Sequence, residues 1–452
     1  MPERGPEPDE ILKEAEPPLV FCPLGFERRA FMRFGKLPVV TTGPGADAIR
    51  RAFAARDLWP VRHPRFVVLL GLAGALDARL APGTDHACAE VVAEGTSSPL
   101  RSTLIPDATA RVIETACVAA TPEEKSRLAA ATRAQLVDLE SHAFAACAEA
   151  AGLRWAIVRG VSDGATDSLP TELGSFVDHA GETRIARVLA AIARRPSLLG
   201  ELVALGRASR HAMRNASFTA DALGARSALD LCDAAHPLLL YGGSFDPPHA
   251  RHATMLAEAM RALRSPCAIV MPARVNPLKG EAPPADGEAR LALCLAAFGA
   301  IGGDTAGEIG GEIRLSRLEL DRAGPSYTID TVTTLCARTA ALRGAVRFLV
   351  GSDAIRGIAR WHRWRELLEL ARPAVVVRPP DTHATAAALL GEFARESGFA
   401  DAPSWLLDLA PIDLASTDLR ARIALGERPS GLSDAVWREI TVRGLYGFGG
   451  AR

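Results

Sequence analysis

Two series of short apolar runs alternate with helical patterns along this chain, and few folds can accommodate that order. In the first series, runs typical of buried strands occupy residues 19–22, 66–71, 86–92 and 155–159. Helical patterns lie between them, for example at residues 46–55 and 142–151. A sheet with helices on its faces produces this alternation. The first half is therefore predicted to be an α/β domain.

A second series begins at residue 237, after an Arg-, Ala- and Leu-rich stretch with helical spacing. Its first strand ends in Gly242 and Gly243, and a helix with one apolar face follows over residues 249–263. Further strands are predicted at residues 268–271, 312–320, 346–351 and 374–377. The sequence thus predicts an α/β protein of two domains. Its predicted segments are a flexible N-terminus (1–16), an N-terminal domain (17–225), a linker (226–236) and a C-terminal domain (237–452).

Length and charge agree with this division and exclude some partners. With 452 residues the chain is about three times a common domain size of ~150 residues, so more than one core is expected. Its 52 basic and 53 acidic residues leave a net charge of −1. Nonspecific binding to nucleic acid or to a membrane needs a large basic excess. We therefore expect no nucleic acid and no membrane as partner, and an anionic ligand must be held locally.

The sequence also indicates a cytoplasmic protein. The longest apolar run, residues 66–76, is much shorter than the ~18 residues needed to span a bilayer. The acidic, Pro-rich start does not resemble a secretory signal. Eight scattered cysteines without a CxxC pair are typical of reduced thiols rather than of disulfides or a zinc site.

Lysine is rare in this chain. Lys13, Lys36, Lys125 and Lys279 are its four lysines, so 48 of the 52 basic residues are arginines. A compact ammonium and a planar guanidinium are not interchangeable at a tight phosphate site. Lys279, the single lysine after residue 125, is therefore a candidate phosphate ligand.

The segment GGSFDPPHARH, residues 242–252, lies between a predicted strand and a predicted helix. Its glycines permit a tight turn and a close approach to a ligand, and its two prolines stiffen the loop. His249 and His252 are three residues apart at the helix start, so they share a face beside free N–H groups and the positive end of the helix dipole. The arrangement favours phosphate binding, the alternative being a helix cap and a surface residue.

Six segments then occur in the order found in one enzyme family. They are GGSFDPPHARH, NPLK (276–279), PSYTIDT (325–331), FLVGSDAI (348–355), RWHRW (360–364) and LASTDLR (414–420). Over about residues 237–447 the chain closely resembles the nicotinate-nucleotide adenylyltransferases. The resemblance implies a Rossmann-like nucleotidyltransferase domain for NAD biosynthesis. It would join ATP, accompanied by Mg²⁺, to nicotinate mononucleotide and give deamido-NAD and pyrophosphate.

The resemblance also implies roles for individual residues. The expected catalytic residues, which contact phosphates, are His249, His252, Lys279 and Arg420. The expected ATP and phosphate ligands are Gly242, Gly243, Ser244, Phe245, Ser416, Thr417, Gly351 and Asp353. The expected pyridine-nucleotide ligands are Tyr327, Thr328, Asp330 and Trp361. Trp361 would stack on the pyridine ring or pack in the core, and the hydroxyls near Arg420 would hold phosphate or cap a helix. No carboxylate cluster in the sequence indicates a dedicated metal cage.

Two positions depart from the family pattern. Arg251 stands where the family usually has glycine, so its side chain would either crowd the phosphates or add a cation to them. Ala415 replaces the first residue of a two-serine lead. Nicotinamide mononucleotide and phosphopantetheine stay open as alternative acceptors, although the PSYTIDT and RWHRW segments favour a pyridine nucleotide.

The first half of the chain contains a second group of motifs. They are GLAGALD (71–77), LVDLESHA (136–143) and RGVSDGATDSLP (159–170). Glu140 and Asp163 each follow an apolar run, where ligand sites of α/β proteins collect and where helix caps also occur. With TTGPGADA (41–48), residues 17–215 resemble the purine nucleoside phosphorylase superfamily, nearest to its adenosyl-nucleosidase branch.

This resemblance implies a nucleosidase-like domain that cleaves the N-glycosidic bond of an adenosine derivative. Glu140 would bind ribose hydroxyls, Asp163 would protonate the purine N7, Glu27 would activate water, and Gly74 would lie in the nucleoside site. Ala75 and the Pro82-Gly83-Thr84 lead depart from the family pattern. The alternative is a noncatalytic nucleoside-binding or oligomerising module, and a homo-oligomer stays open.

Overall fold

The computed structural model describes residues 10–96, 98–105, 107–275, 277, 283–299, 301, 311–410 and 416–448. These residues divide into two compact units. Glu16–Arg226 form one, called here the N-terminal unit, and the described residues before and after that segment form the C-terminal unit. The N-terminal unit is therefore an insertion within the sequence of the other unit.

The strand β1 (Glu10–Lys13) belongs to the C-terminal unit. It pairs antiparallel with the strand Glu312–Leu315, and its Leu12 packs against the core of that unit. The expectation of a flexible N-terminus over residues 1–16 is therefore wrong for residues 10–13. The physical reason is that an edge strand offers unpaired backbone groups, which can order even a polar segment.

The N-terminal unit is built on a mixed sheet. Its strands are β2 (Leu19–Cys22), β3 (Val39–Thr41), β4 (Val67–Ala75), β5 (Asp85–Ala93), β6 (Leu100–Arg101), β7 (Ala110–Glu114), β8 (Leu136–Asp138) and β9 (Trp155–Asp163). β9 pairs with β4 in parallel and with β5 antiparallel, and β5, β7 and β8 lead back to the end of β4. These five strands close into a ring, with β2 and β3 beside β4 and β6 beside β5.

Helices surround this ring. They are α1 (Gly25–Phe34), α2 (Ala46–Ala54), α3 (Pro122–Thr132), α4 (Ser141–Ala150), α5 (Ile185–Arg194) and α6 (Leu198–Gly224). α6 continues through residues 215–224, which the sequence pattern leaves weakly defined. Its buried face there consists of small residues such as Ala216 and Ala220, so hydrophobic periodicity gives little signal.

The C-terminal unit has a doubly wound sheet. Its strands after β1 are β10 (Leu238–Gly243), β11 (Cys267–Pro272), β12 (Glu312–Leu315), β13 (Val346–Gly351) and β14 (Ala371–Val376). The order is β1-β12-β11-β10-β13-β14, with β10 to β14 all parallel. Leu238 and Leu240 face one hydrophobic cluster and Leu239 and Tyr241 face another, so both sheet faces are buried. This is the predicted Rossmann-like arrangement.

The helices of the C-terminal unit follow its strands. They are α7 (Ala250–Ala262), α8 (Gly287–Phe298), α9 (Leu318–Asp321), α10 (Thr328–Arg338), α11 (Ser352–Ile355), α12 (Trp364–Leu370), α13 (His383–Ser397), α14 (Ser416–Ala424) and α15 (Asp434–Arg443). The predicted strand 312–320 is too long. β12 ends at Leu315, and the Ser316 hydroxyl accepts the Leu318 amide at 3.3 Å in a turn that leads into α9.

Except for Arg226, which ends the N-terminal unit, the predicted linker 226–236 belongs to the C-terminal unit. Ala228 and Cys232 are buried in its core beside Leu238. All eight cysteines are described, and none of them is in a disulfide. Within the described ranges, no helix combines the length and the apolar character needed to cross a bilayer.

Candidate active sites

The two motif histidines lie together at the start of α7. His249 directly precedes the helix and is 2% exposed, and His252 lies in the first turn. Their rings stack with centroids 3.7 Å apart. The His249 backbone amide donates to Nδ1 of His252 at 3.2 Å, so a neutral His252 carries its hydrogen on Nε2. Burial, followed by the charges of His249 and Arg378, lowers the pKa of His252 well below its ordinary value.

The loop before this pair is shaped by Phe245 rather than by the two glycines. Phe245 has a φ of 47°, in the left-handed region, whereas Gly242 and Gly243 are not among the described residues with positive φ. A Cβ on Gly243 would lie 3.1 Å from the Phe245 ring, and one on Gly242 would meet open space. The expected tight turn at the glycines is therefore wrong. Gly243 makes room for the ring, and Gly242 leaves space at the strand end.

A buried arginine outside the motifs holds this loop in place. Arg290 of α8 is 2% exposed. Its guanidinium donates to the carbonyl oxygens of Ser244 at 3.0 Å, Ala273 at 2.6 Å and Ala285 at 3.1 Å. One side chain thus joins the loop after β10, the end of β11 and the start of α8. Sequence reasoning missed it, because an arginine in a helical pattern is normally solvated.

The first residues of α14 contact the same loop. Ser416 Oγ donates to the carbonyl oxygen of Pro247 at 3.0 Å, and Arg420 Nη1 donates to that of Asp246 at 2.6 Å. Arg420 also contacts the hydroxyl of Thr417 at 3.3 Å. The structure therefore brings the late motif next to the histidine loop.

A third segment of the site follows β13, where the strand order reverses next to β10. Gly351 ends the strand and Asp353 lies in α11. A Cβ on Gly351 would clash with the Asp353 carboxylate, which explains the glycine. Asp353 pairs with Arg378 at 3.1 Å, and both side chains are about half exposed. Arg378, which sequence reasoning missed, is thus a cation near both Asp353 and His252.

The two segments expected to bind the pyridine nucleotide meet each other. The rings of Tyr327 and His362 lie 4.6 Å apart, and Asp330 Oδ1 is 3.9 Å from Arg363 Nη1. Thr328 is the first residue of α10, between the two contacts. Two motifs that are more than thirty residues apart in the sequence therefore lie side by side in the C-terminal unit.

Trp361 and Trp364 have different surroundings. Trp364 is partly buried and packs against the rings of Phe393 and Phe399. Trp361 is partly buried against Phe348, and its buried ring nitrogen has no hydrogen-bond partner among the described residues. Trp361 therefore retains a donor for a ligand.

Three further sequence expectations concern the phosphate side of the site. Lys279 and Ala415 lie outside the described residues. Arg251 donates through Nη2 to the carbonyl oxygen of Ala410 at 3.0 Å, so its guanidinium contacts the chain just before the α14 motif.

The predicted nucleoside residues of the N-terminal unit line one cavity. Glu27, Gly74, Glu140 and Asp163 all contribute to this cavity of about 240 Å³. Apolar side chains that complete its wall are Leu24, Phe26, Val118, Leu169, Leu173 and Val177. Few polar groups on an apolar wall are typical of a small-molecule site.

Glu27 and Glu140 flank a fully buried arginine. Arg159 pairs with Asp138 at 2.6 Å and with Glu140 at 3.4 Å. A Cβ on Gly71 would lie 2.5 Å from Arg159 Nη1 and 2.9 Å from Glu27 Oε1. The strand β4 therefore needs glycine at residue 71 to admit the charged cluster.

Burial raises the proton affinity of both glutamates. The backbone amides of Leu24 and Leu72 donate to Glu27, each at 2.8 Å, and that of Gly45 donates to Glu140 at 2.8 Å. Burial nevertheless raises the pKa of Glu27 to about 8 and that of Glu140 to about 7. At neutral pH, Glu27 is therefore mostly protonated.

Asp163 ends β9 opposite a shift in strand register. The shift lies between Ala73 and Gly74, and Gly74 stands opposite Asp163. A Cβ on Gly74 would lie 3.0 Å from Asp163 Oδ2, so glycine leaves room for the carboxylate. Ser162 Oγ donates to Oδ1, and Nζ of Lys125 donates to Oδ2 at 2.6 Å.

Two family models match the chain. The cytidylyltransferase-like family matches residues 240–422, and the phosphorylase superfamily matches residues 94–194. A solved futalosine hydrolase of Helicobacter pylori is 10% identical, with a TM-score of 0.34 over 46% of this chain and 97% of that one. An S-adenosylhomocysteine nucleosidase of Streptococcus pyogenes is 14% identical, with a TM-score of 0.33 over 46% and 96%.

Curated relatives match with higher identity. The probable nicotinate-nucleotide adenylyltransferase of Gemmatimonas aurantiaca is 33% identical over 208 residues, which cover 46% of this chain and 90% of that protein. The protein of the same name from Laribacter hongkongensis is 36% identical over 218 residues, covering 46% and 93%. Through its C-terminal unit, this chain belongs to the nicotinate-nucleotide adenylyltransferase family, and its N-terminal unit carries a phosphorylase superfamily domain.

Proposed function

We propose that the C-terminal unit transfers the adenylyl group of ATP to nicotinate mononucleotide, giving deamido-NAD and pyrophosphate. The observation that carries the proposal is the stacked His249 and His252 pair at the start of α7. It follows β10, which lies beside β13 at the point of strand reversal. A helix start at that position is a favourable place for phosphates.

The reaction requires positioning more than proton transfer. A phosphate oxygen of the mononucleotide attacks the α-phosphorus of ATP, and the bond to the bridging oxygen breaks, so pyrophosphate leaves with the bonding electrons. Nε2–H of His252 would donate to an ATP phosphate oxygen, and Arg420 would stabilise the developing charge. ATP would arrive as its Mg²⁺ complex. Within the described ranges, no group of three or more His, Cys, Asp or Glu residues could hold a metal ion.

The choice of acceptor is tested by a pyrophosphate-release assay. Purified protein with ATP is given nicotinate mononucleotide, nicotinamide mononucleotide or phosphopantetheine in parallel reactions. We expect the highest kcat/KM with nicotinate mononucleotide, since two pyridine-segment motifs meet at Tyr327 and His362 and the curated relatives are named for nicotinate-nucleotide adenylyl transfer. Faster release with nicotinamide mononucleotide or with phosphopantetheine would contradict the proposal.

A second activity is favoured by the N-terminal cavity, where Glu27, Glu140 and Asp163 converge. We propose that this unit cleaves the N-glycosidic bond of an adenosine derivative. Asp163 would first take up a proton from solvent. As the C1′–N9 bond breaks, its electrons pass to the purine, the protonated Asp163 delivers that proton to N7, and an oxygen nucleophile adds to C1′. Glu140 would hold the ribose hydroxyls. With water as nucleophile, the ionised form of Glu27, a minor fraction at neutral pH, would accept the water proton. Phosphate stays the alternative nucleophile.

Adenine release from 5′-methylthioadenosine tests this second activity. The wild-type protein should release adenine and Asp163→Asn should not, because an amide supplies no acidic proton. Isothermal titration with adenine separates binding from cleavage. Adenine binding without release by the wild type would favour the noncatalytic alternative, in which the unit only binds nucleosides.

A further inference from the structure

Lys125 is a completely buried ammonium behind the wall of the N-terminal cavity. Its side chain is 0% exposed, although it lies in the first turn of α3 within the charged run PEEKSR. Lysine is rarely buried unless it is paired. Its partner is Asp163 Oδ2, at 2.6 Å. This buried ammonium is therefore paired with a residue that lines the cavity.

The hydrogen bonds of Lys125 account for its whole donor capacity. Nζ donates to Asp163 Oδ2 at 2.6 Å, to the carbonyl oxygen of Gly164 at 2.7 Å and to that of Asp167 at 2.9 Å. An ammonium has three N–H groups, so none is left for a ligand. Lys125 is also not among the described residues that line the cavity. Any effect of Lys125 on a ligand must pass through the residues it holds.

The residues that Lys125 holds form one side of the cavity. Asp167 Oδ2 accepts the amide of Gly164 at 2.7 Å, which closes the turn after β9. The Leu169 amide then donates to the carbonyl oxygen of Ala120 at 2.8 Å, so the turn is fastened to the segment before α3. Leu169 itself lines the cavity. The turn is thus also held by hydrogen bonds that do not involve Lys125, whereas Asp163 Oδ2 accepts its hydrogen bond from Lys125.

We propose that Lys125 is a positioning residue of the nucleoside site, which holds the Asp163 carboxylate in place to contact the purine base. The inference rests on the proposed nucleoside cleavage. It adds a residue that neither the family models nor the sequence motifs assign.

The geometry also accounts for lysine at this position. Three acceptors converge on one nitrogen, which a compact ammonium can satisfy. A guanidinium spreads five donors over a planar fork and is larger, so it cannot replace that nitrogen in a buried space. The chain has 48 arginines and only four lysines. A lysine at this position therefore matches a contact that arginine could not make.

The test is a double-mutant cycle read by adenine binding in the full-length protein. The variants are Lys125→Met, Asp163→Asn and the double variant, with dissociation constants measured by isothermal titration. Lys36→Met is the matched control, because it removes the same charge from an exposed position of the same unit. We expect Lys125→Met to weaken adenine binding by at least tenfold and Lys36→Met to change it by less than twofold.

The cycle distinguishes positioning of Asp163 from general support of the fold. If Lys125 acts through Asp163, the double variant should bind adenine within about threefold of Asp163→Asn alone. That comparison decides the question even if Lys125→Met fails to fold. Neither Asp163→Asn nor the double variant contains a buried carboxylate that has lost its charged partner. Binding by the double variant tenfold or more weaker than by Asp163→Asn would overturn the inference. Wild-type affinity in Lys125→Met would overturn it as well.

The same experiment separates failure of the inference from failure of the proposed activity. A wild-type protein that neither binds adenine nor releases it from 5′-methylthioadenosine would overturn the nucleoside function, and the inference would fall with it. A wild-type protein that binds adenine, together with an unaffected Lys125→Met variant, would overturn the role of Lys125 alone.

Discussion

In the proposed adenylyl transfer, the imidazole of His252 is the group of the C-terminal unit that contacts phosphate most directly. Its Nδ1 accepts the His249 amide, so its Nε2–H is oriented by the backbone rather than by a mobile side chain. Its low pKa keeps the ring neutral at pH 7 before ATP arrives. Preorganised donors of this kind contribute to the rate mainly in the transition state.

Replacing His252 with alanine should lower adenylyl transfer about 100-fold or more, because a preorganised donor to the phosphates is lost. The measurement is kcat for pyrophosphate release with saturating ATP and nicotinate mononucleotide. A turnover equal to that of the wild type would contradict the assignment of His252.

The buried carboxyl of Glu27 makes the stability of the N-terminal unit depend on pH. Its folded pKa is about 8, against an ordinary value of 4.5, so the folded state binds more protons between these values. The free energy of unfolding should therefore fall as the pH rises from about 5 to about 8, by roughly 4 kcal/mol at most. Glu27→Gln cannot ionise and should flatten this dependence.

Hydrogen exchange of β4 measures that effect, because the Leu72 amide in this strand donates to Glu27. Protection factors corrected for intrinsic exchange would be compared at pH 5, 6, 7 and 8. Identical pH profiles for wild type and Glu27→Gln would show that this carboxyl is not the source of the dependence.

At the scale of elements, the loop between β10 and α7 is held from outside by helices distant in sequence. α14 contacts it through Ser416 and Arg420, and α8 through Arg290. Tyr446, near the end of the described chain, donates its hydroxyl to Asp246 Oδ1 at 2.7 Å. The geometry of the histidine pair therefore depends on α8, on α14 and on the segment around Tyr446.

Arg290→Met should destabilise the C-terminal unit by roughly 3 kcal/mol, because the carbonyl oxygens of Ala273, Ala285 and Ser244, the first two of them buried, lose their donor. It should also lower adenylyl transfer at least tenfold, since the loop that carries His249 loses a fixed support. Arg438→Met, at an exposed position of α15, is the matched control. Unchanged stability and turnover in Arg290→Met would contradict the role of Arg290.

Periodicity and motifs predict much of this fold, and the elements that they miss have physical reasons. β2, β10 and β13 have the predicted bounds, and β11, β9 and α7 differ from prediction by a few residues. The strands β3, β6, β7 and β8 have two to five residues each, too few to show a period. β1 is ordered by pairing with a strand about 300 residues later, which no local pattern encodes.

The candidate sites, too, are predicted from the sequence only in part. The motifs predict which residues meet, as with His249 beside His252 and Glu27 near Glu140. They do not predict the buried supports Lys125 and Arg290, because charged residues in helical runs normally face solvent. The rarity of lysine is the sequence signal that applies to Lys125, but in the sequence analysis it favours Lys279 as the functional lysine.

At the scale of the whole molecule, two α/β units share one chain, with one inserted in the sequence of the other. Each unit has its own hydrophobic clusters. The nearly neutral chain would handle anionic nucleotides with a few placed groups of the C-terminal unit, such as Arg420.

Separate cores predict separate responses to ligands. Adenine should raise the unfolding temperature of one calorimetric transition and ATP that of another, because each ligand stabilises the unit that binds it. At 100 times the dissociation constant the stabilisation is about 2.7 kcal/mol, which corresponds to a shift of roughly 5 °C or more. One common transition that responds equally to both ligands would contradict this prediction.

Adenylyl transfer by the C-terminal unit is tested most directly by following the α-phosphorus of ATP. The wild-type protein is incubated with ATP labelled at the α-phosphate, nicotinate mononucleotide and Mg²⁺, and the products are separated and quantified. The label should enter deamido-NAD in a one-to-one ratio with the unlabelled pyrophosphate released. Label recovered only as AMP or as unreacted ATP would contradict adenylyl transfer by this chain.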